Sequence, residues 1–162
     1  MSLNRSGVFS NPDQTTGNVT FLPLESLDAQ VFIADISARV VLSQTYSHHE
    51  RHTLSEAYYI FPVPARAAVC GFEMQTEDGR RLKGVVEDLA QAKAKYEEAK
   101  AQGWLTGLLQ QFREDGEVYF YLVHLSLFTA SLYTLNSTLV PIAGRSCRSE
   151  LIFSIDFQHI RC

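Results

Sequence analysis

The chain contains little cysteine and no cysteine pair of the kind that binds metal or forms a redox centre. Its 162 residues include Cys70, Cys147 and Cys162 as the only cysteines. Their odd number and wide spacing exclude a disulfide framework and a zinc site built on Cys-x-x-Cys pairs. The N-terminal residues 1–20 are polar and lack the apolar core of a signal peptide. Together these absences predict a reducing, cytoplasmic location.

The chain also lacks an excess of basic residues and lacks the motifs of common reaction centres. Lys and Arg number 14 against 18 for Asp and Glu, which gives a net charge of -4. This balance excludes a general nucleic-acid binder, which would present a basic surface. The sequence has no glycine-rich phosphate loop and no Gly-x-Ser-x-Gly nucleophile elbow. We therefore expect a non-enzymatic protein with no catalytic residue, no cofactor and no nucleic-acid partner.

Histidine is concentrated in one short segment, His48-His49-Glu50-Arg51-His52. A zinc protease of the His-Glu-x-x-His type needs two residues between the glutamate and the second histidine, and it needs them on a helix. Here only Arg51 separates Glu50 from His52, and the segment interrupts a strand pattern. We therefore predict a solvated loop and no metal site. The alternative is a small metal-dependent hydrolase in which His48 and His52 would bind the ion.

The residues that are present predict strands in the first half of the chain. Hydrophobic residues make up 46% of the sequence, which is enough for one globular core. Apolar residues recur from Leu24 onward, and from Ile36 to Tyr46 they alternate with polar residues. This alternation predicts a half-buried strand. We expect residues 47–52 to form a hairpin connection from this strand to the next one.

A second strand follows the polar connection. Ala57, Tyr59 and Phe61 are spaced two residues apart and therefore lie on one face of it. We expect Pro62 and Pro64 to end this strand, because proline cannot donate a hydrogen bond to a sheet ladder.

The next segment predicts a β-hairpin. Residues 69–75 are rich in β-forming side chains, and residues 82–86 can return beside them. Between them Asp78 and Gly79 supply a turn in which the glycine tolerates a positive φ. Cys70 lies in the first of these strands, where we expect it to be buried as a small hydrophobic residue.

One helix is predicted between Asp88 and Gly103. Asp88 is a favourable N-cap residue, and Gly103 is a favourable residue to end the helix. Apolar residues from Leu89 to Tyr96 recur at helical spacing and form one stripe. Because a helix of this length is marginal in water, the stripe must pack on a sheet. The predicted fold class is mainly β of the α+β type: an antiparallel, sandwich-like sheet with one amphipathic helix packed on it.

Acidic and basic residues are absent from 118–144. This apolar segment predicts either two buried strands or a membrane helix. We divide the chain into a flexible N-terminal tail at 1–20, a domain at 21–117 and an atypical apolar C-terminal segment at 118–162. A membrane-tethered module, anchored by residues 118–135, is therefore one alternative for the function.

The order and spacing of several segments resemble the vault protein inter-alpha-trypsin (VIT) domain family. The resemblance covers a little over half of the chain. It rests on ISARVVLSQTY at 36–46, EAYYIFPVP at 56–64, AAVCGFE at 67–73, the helical residues Ala92, Tyr96 and Ala99, and Gly103 with Gly107-Leu108-Leu109. The family implies a mostly β domain with one helix that acts as a non-catalytic module in larger assemblies.

The resemblance also implies structural roles for individual residues. Phe61 and Phe72 would fill the core, and Tyr96 would dock the helix on the sheet. Pro62 and Pro64 would shape a bend. No catalytic residue is implied, since the family has none to carry over.

After Gly107-Leu108-Leu109 the chain departs from the family pattern, because the turn that precedes the last family strand is missing. We expect a truncated domain in which the residues after 118 are not family sequence and a sheet edge is exposed. The predicted function is a protein-interaction or scaffold module whose partner is another protein, bound through a sheet edge or a strand face. Trp104 is the candidate contact residue, since aromatic residues are enriched at interfaces.

Overall fold

The computed structural model describes residues 6–10, 19–48, 56–63, 67–114, 117–123, 132–141 and 152–156. Within these ranges the chain forms ten strands and one helix. The strands are β1 (Gly7–Ser10), β2 (Leu24–Ala34), β3 (Ser37–Ser47), β4 (Ala57–Val63), β5 (Ala67–Thr76), β6 (Arg81–Glu87), β7 (Gly107–Glu114), β8 (Glu117–Val123), β9 (Leu132–Pro141) and β10 (Ile152–Asp156), and the helix is α1 (Leu89–Ala101).

The ten strands of the described residues belong to one sheet in the order β1-β4-β8-β7-β10-β6-β5-β9-β3-β2. The sheet folds over on itself, because strands far apart in this order touch. The ring centroid of Tyr59 in β4 lies 6.1 Å from that of Tyr46 in β3 and 6.2 Å from that of Phe72 in β5. Every strand pair is antiparallel. The predicted fold class is confirmed.

The core lies between the two halves of the folded sheet. Its largest fully buried side chains are those of Tyr59, Met74, Leu82, Leu109 and Leu135. A smaller cluster lies under the helix and contains Ala92, Tyr96 and Leu108, with Leu89 packed against it. Strand β7 contributes to both clusters, since successive side chains on a strand point to opposite faces. Leu109 therefore meets the core, and Leu108 meets the helix.

The strand predicted from Ile36 to Tyr46 is confirmed as β3, and the apolar pattern that begins at Leu24 forms a separate strand, β2. β2 and β3 pair along their length and are joined by a turn at Asp35 and Ile36. Asp35 has a φ of 56°, a left-handed conformation that aspartate tolerates better than most residues. Ile36 is 94% exposed at this turn. The apolar alternation changes phase at this turn, from odd-numbered positions on β2 to even-numbered positions on β3.

The expected hairpin between β3 and β4 is wrong. β3 pairs with β2 and β9, whereas β4 pairs with β1 and β8. Pro62 also does not end its strand, since β4 continues through it and pairs it with Tyr119. Among the described residues the β1 ladder reaches only Ile60, so β4 has one paired neighbour at Pro62. Proline is tolerated there because a strand with one free side does not need every N–H group.

The predicted hairpin of β5 and β6 is confirmed. The two strands pair from Glu73 opposite Lys83 to Gln75 opposite Arg81. Gly79 in the connecting turn has a φ of 86°, which glycine adopts without steric strain.

The side chain of Asp78 organises the same turn. It accepts hydrogen bonds from the Thr76 hydroxyl and from Arg80 Nε, the latter at 2.7 Å. These bonds from Arg80 and Thr76 lower the pKa of Asp78 from 3.8 to about 2. The turn is thus closed by a charged carboxylate at neutral pH.

We expect Asp78→Asn to reduce the free energy of unfolding at pH 7 by less than about 1 kcal/mol, since the carboxylate is half exposed to solvent. A carboxyl group whose pKa is lower in the folded state stabilises above its unfolded pKa and loses that effect as the pH falls through the folded one. The difference from wild type should therefore shrink between pH 3.8 and about 2. Urea unfolding at both ends of this range, with Glu97→Gln as the control, measures it. An unchanged difference would contradict the prediction.

The predicted helix is confirmed, and its ends have the expected chemistry. The Ala90 backbone N–H donates to Asp88 Oδ1 at 2.9 Å, so Asp88 is the N-cap. At the other end Gly103 has a φ of 70°, and the Trp104 N–H donates to the Ala99 carbonyl at 2.9 Å. This arrangement is a Schellman motif, which satisfies the last carbonyls of a helix.

Ion pairs attach α1 to the strands beside it. Lys95 Nζ contacts Glu87 Oε1 at the end of β6, and Lys100 Nζ contacts Glu56 Oε1 just before β4. The hydrogen bond to Glu56 raises the pKa of Lys100. The lysine side chains are 47% and 41% exposed, whereas the glutamates are mostly covered. Because solvent around the lysines screens both pairs, they orient the helix more than they stabilise it. The buried Tyr96 ring supplies the packing.

Residues 118–123 and 132–135 lie in strands β8 and β9, so over the described residues the strand alternative for the apolar C-terminal segment is confirmed. β8 lies between β4 and β7, and β9 lies between β3 and β5. None of the helices in the described part of the chain is long and apolar enough to span a membrane.

Candidate interaction surface

Among the strands whose side chains the structure describes, the hairpin of β2 and β3 is the most exposed part of the sheet. β2 is the last strand in the sheet order, and within the described residues its outer edge has no neighbouring strand. All 11 residues of β2 are exposed. β3 becomes progressively buried from its start at Ser37 to Tyr46 and Ser47 at its end. The hairpin thus projects from the core, with its turn at Asp35 and Ile36 farthest from it.

One face of this hairpin continues the core face of the sheet. Val31 lies opposite Val40, Val40 opposite Leu139, and Leu139 opposite Val69. Directly opposed residues share a face, so these four side chains form one row across β2, β3, β9 and β5. The row begins at Val69, which is buried, and ends at Val31, which is 56% exposed. An apolar surface therefore runs without interruption from the core into solvent.

The neighbouring pairs of β2 and β3 extend this face, although their rows are not apolar throughout, since Leu42 lies opposite Ser137. Ile33 lies opposite Ala38, Ala29 opposite Leu42, and Leu27 opposite Gln44. Leu27 and Ile33 are 58% and 77% exposed. We call this surface the hairpin apolar face; it consists of Leu27, Ala29, Val31 and Ile33 on β2 and of Ala38, Val40 and Leu42 on β3.

The base of the hairpin is held by a buried polar contact. The Tyr59 hydroxyl in β4 donates to Gln44 Oε1 in β3 and so joins the two halves of the sheet. Burial raises the pKa of Tyr59, and it raises the pKa of Tyr46 to about 12. Both phenols are therefore neutral at physiological pH. The neutral Tyr59 hydroxyl therefore keeps its proton for the hydrogen bond to Gln44.

The opposite face of the hairpin is more polar and carries one aromatic contact. Phe32 lies opposite Arg39, and the guanidinium carbon lies 4.8 Å from the ring centroid. Such cation–π contacts contribute about 0.5–1 kcal/mol at exposed sites. Asp28 shares this face and accepts a hydrogen bond from Gln30 Nε2 at 3.3 Å. The two faces of the hairpin thus differ: one is mainly apolar, and the other carries the cation of Arg39, the carboxylate of Asp28 and the amide of Gln30.

The residues that the family resemblance singled out lie mostly in the interior. Phe61 and Phe72 belong to the core, Tyr96 lies under the helix, and Gly103 lies at the helix C-terminus. Pro62 is exposed on β4. Pro64 lies outside the described residues.

Trp104 and the histidine segment were the other candidate sites. Trp104 lies between α1 and β7 and is 47% exposed, which leaves its role as a contact residue a prediction. Of the histidine segment only His48 is described; His49 to His52 lie outside the described residues. Among the described residues no group of His, Cys, Asp and Glu is arranged to hold a metal ion.

The expectation of a buried Cys70 is wrong, because this cysteine is exposed. β5 contains an irregularity between Val69 and Gly71: Val69 lies opposite Leu139, and Gly71 lies opposite the adjacent Thr138. Cys70 is the extra residue of this bulge and has no partner on β9. A bulge changes the alternation of side chains locally, so the periodicity of the sequence assigns Cys70 to the wrong side.

Comparison with known proteins places this architecture in a family. The model of the vault protein inter-alpha-trypsin domain matches residues 24–136, which is more than half of the chain. The chain belongs to the VIT domain family. The matched range begins with β2 and includes residues 118–136, so it extends into the apolar C-terminal segment. The boundaries of the N-terminal tail and of the C-terminal segment stay predictions.

Curated relatives share the VIT region of this chain but are much longer. The protein mono-ADP-ribosyltransferase PARP4 of Mus musculus is 36% identical over 94 residues, 58% of this chain and 5% of that protein. The von Willebrand factor A domain-containing protein 5A of Rattus norvegicus is 34% identical over 104 residues, 64% of this chain and 12% of that protein. A von Willebrand factor A domain-containing protein of Dictyostelium discoideum is 27% identical over 124 residues.

The matched region is only 5% of the first relative and 12% of the second, so the functions of these proteins cannot be assigned to this VIT domain. The match to a transferase covers a small part of that enzyme, so its activity does not carry over to this chain. What carries over is the domain type, which occurs within long proteins of different kinds.

The reasoning from sequence missed the hairpin apolar face. One signal was present: Val31-Phe32-Ile33 is a contiguous apolar run, although a strand with one face in solvent alternates. Asp35 directly after the run was the second signal, because aspartate favours turns. Together they predict a strand end with apolar side chains on both faces, which is unusual at an exposed edge.

Proposed function

We propose that this VIT domain is a non-catalytic protein-interaction module that binds another protein through the hairpin of β2 and β3. The observation that carries the proposal is the row from Val69 to Val31, along which the core face of the sheet continues into solvent. Proteins rarely expose contiguous apolar surface of this kind unless it serves binding.

The chemistry of the hairpin defines the partner it fits. The hairpin apolar face suits apolar side chains, and the outer edge of β2 offers backbone N–H and C=O groups to an extended segment. Arg39 and Asp28 on the other face add charge that can select among partners. An extended, mainly apolar strand of another protein satisfies all three features. The cytoplasmic location inferred from the composition belongs to the same proposal.

The proposal is tested by changing the face without disturbing the core. Val31 and Ile33 are both exposed, so V31K/I33K should fold normally and place charge on the binding surface. The matched control is V85K/V86K, because Val85 and Val86 are also exposed but lie on β6. A partner captured with the wild-type domain is identified by mass spectrometry, purified and titrated against all variants by calorimetry.

We expect V31K/I33K to weaken binding at least about tenfold, which corresponds to about 1.4 kcal/mol. The control V85K/V86K should bind within about twofold of wild type. Equal binding by V31K/I33K and wild type would overturn the proposal. In that case, loss of binding by Trp104→Ala would place the contact at the loop after α1.

A further inference from the structure

We infer that the partner of the β2 edge is a second copy of this chain, which pairs its own β2 antiparallel to the first. This inference rests on the proposed function and names its partner. A two-fold axis perpendicular to the sheet would relate the copies, so that the sheet continues from one copy into the other. In such an arrangement each contact occurs twice, once on either side of the axis.

The pattern of β2 selects one register for this pairing. With the axis at Gln30, Gln30 lies opposite Gln30 of the second copy, and residues equally far from it in opposite directions lie opposite each other. On the apolar face, Leu27 then opposes Ile33, and Ala29 opposes Val31. All four exposed apolar residues of β2 on this face therefore lie opposite apolar residues, and such cross-strand pairs stabilise a sheet.

The other face supplies charge complementarity in the same register. Asp28 of one copy lies opposite Phe32 of the other, and Phe32 carries the guanidinium of Arg39 on its ring at 4.8 Å. Adjacent strands are about 4.8 Å apart, so Asp28 and Arg39 of different copies lie two strand spacings, about 10 Å, apart at their Cα atoms. Arg39 already extends over Phe32 toward this edge, which brings an ion pair within reach. The symmetry makes two such pairs.

The ends of β2 explain why the pairing is limited in length. If the ladder between the two copies were one residue longer at each end than Ser26–Ala34, Glu25 would lie opposite Asp35. Like charges that are directly opposed destabilise a sheet. Asp35 lies in the turn, outside β2. Glu25 already accepts a hydrogen bond from the Ser47 hydroxyl of its own chain. The shared ladder therefore spans the residues from Ser26 to Ala34.

The first test is the oligomeric state of the whole chain by sedimentation equilibrium between about 1 and 100 µM, where moderate interfaces associate. We expect a reversible dimer that V31K/I33K converts to a monomer and that V85K/V86K leaves intact. A wild-type chain that stays monomeric throughout this range overturns the inference. If V31K/I33K nevertheless loses a heterologous partner, the proposed function stands alone, so the two failures are distinguishable.

Charge reversal separates edge pairing from stacking of the apolar faces, because Asp28 and Arg39 lie on the opposite face. D28R and R39D should each weaken the dimer on the order of tenfold through repulsion at two symmetric sites. The double variant D28R/R39D should restore the affinity to within about threefold, since the charges are exchanged and remain complementary. If the losses of dimer affinity in D28R and R39D simply added in the double variant, the inference would be overturned.

Cross-linking tests the register itself, in a background where Cys70, Cys147 and Cys162 are serine. Opposed residues in an antiparallel pair have Cα atoms about 4.5–5.5 Å apart, which a disulfide can bridge. Q30C should therefore form a covalent dimer under mild oxidation. S26C is the matched control, since the two Ser26 positions lie about 27 Å apart along the ladder. Equal cross-linking of Q30C and S26C would overturn the register and with it the charge argument.

Discussion

Replacing Leu109 by alanine should lower the free energy of unfolding by about 2–5 kcal/mol, the range for large-to-small changes at fully buried sites. Leu109 has no exposed surface and belongs to the core cluster between the two halves of the sheet. Its side chain lies on β7, which pairs with β8 on one side and β10 on the other. A cavity there cannot be filled by movement of an edge strand, so relaxation should be limited.

Urea unfolding followed by circular dichroism measures this effect for Leu109→Ala. Ile36→Ala is the control, because Ile36 is almost fully exposed at the turn of the hairpin. The control should change the free energy of unfolding by less than about 0.5 kcal/mol. A loss below about 1 kcal/mol for Leu109→Ala would show that the halves of the sheet do not close over this residue.

The second large effect concerns the attachment of the helix. Tyr96→Ala should lower the free energy of unfolding by about 3 kcal/mol, as for other buried aromatic residues. Tyr96 is buried together with Ala92 of the helix and Leu108 of β7. Without the ring, the helix is held by the smaller side chains of Leu89 and Ala92. The two ion pairs, from Lys95 to Glu87 and from Lys100 to Glu56, add little because their lysines are exposed to solvent.

Hydrogen exchange of the helix amides measures the attachment directly. In Tyr96→Ala the amides of α1 should exchange much faster than those of β5 and β9, because a helix of 13 residues is marginal on its own. Tyr96→Phe keeps the ring and is the matched control; its helix amides should remain protected. Equal loss of protection in both variants would show that the hydroxyl, and not the packing of the ring, holds the helix.

Local chemistry explains which parts of the fold could be predicted. The turn at Asp78 and Gly79 and the helix between Asp88 and Gly103 depend on contacts within a few residues: a carboxylate that accepts from nearby N–H groups, and glycines that adopt a positive φ. Such features are visible in a sequence because the interacting groups are close together along it.

The two residues whose predicted positions were wrong, Pro62 and Cys70, are each placed by the pairing with a distant strand. Pro62 stays within β4 because the neighbouring strand β1 ends before it, and Cys70 is exposed because β5 has one residue more than β9 at that point. Neither fact can be obtained from the local pattern, since both concern the register between segments that are far apart in the chain.

The candidate site shows the same division. The sequence alone was enough to predict a globular, weakly acidic domain that is rich in strands, has one capped helix and resembles the VIT family. The exposure of Leu27, Val31 and Ile33 could be learned only from the folded chain, because burial of an apolar side chain depends on whether another layer covers it. β4 covers β5 and the end of β3, whereas within the described residues nothing covers β2. A similar apolar pattern is therefore buried in β5 and exposed in β2.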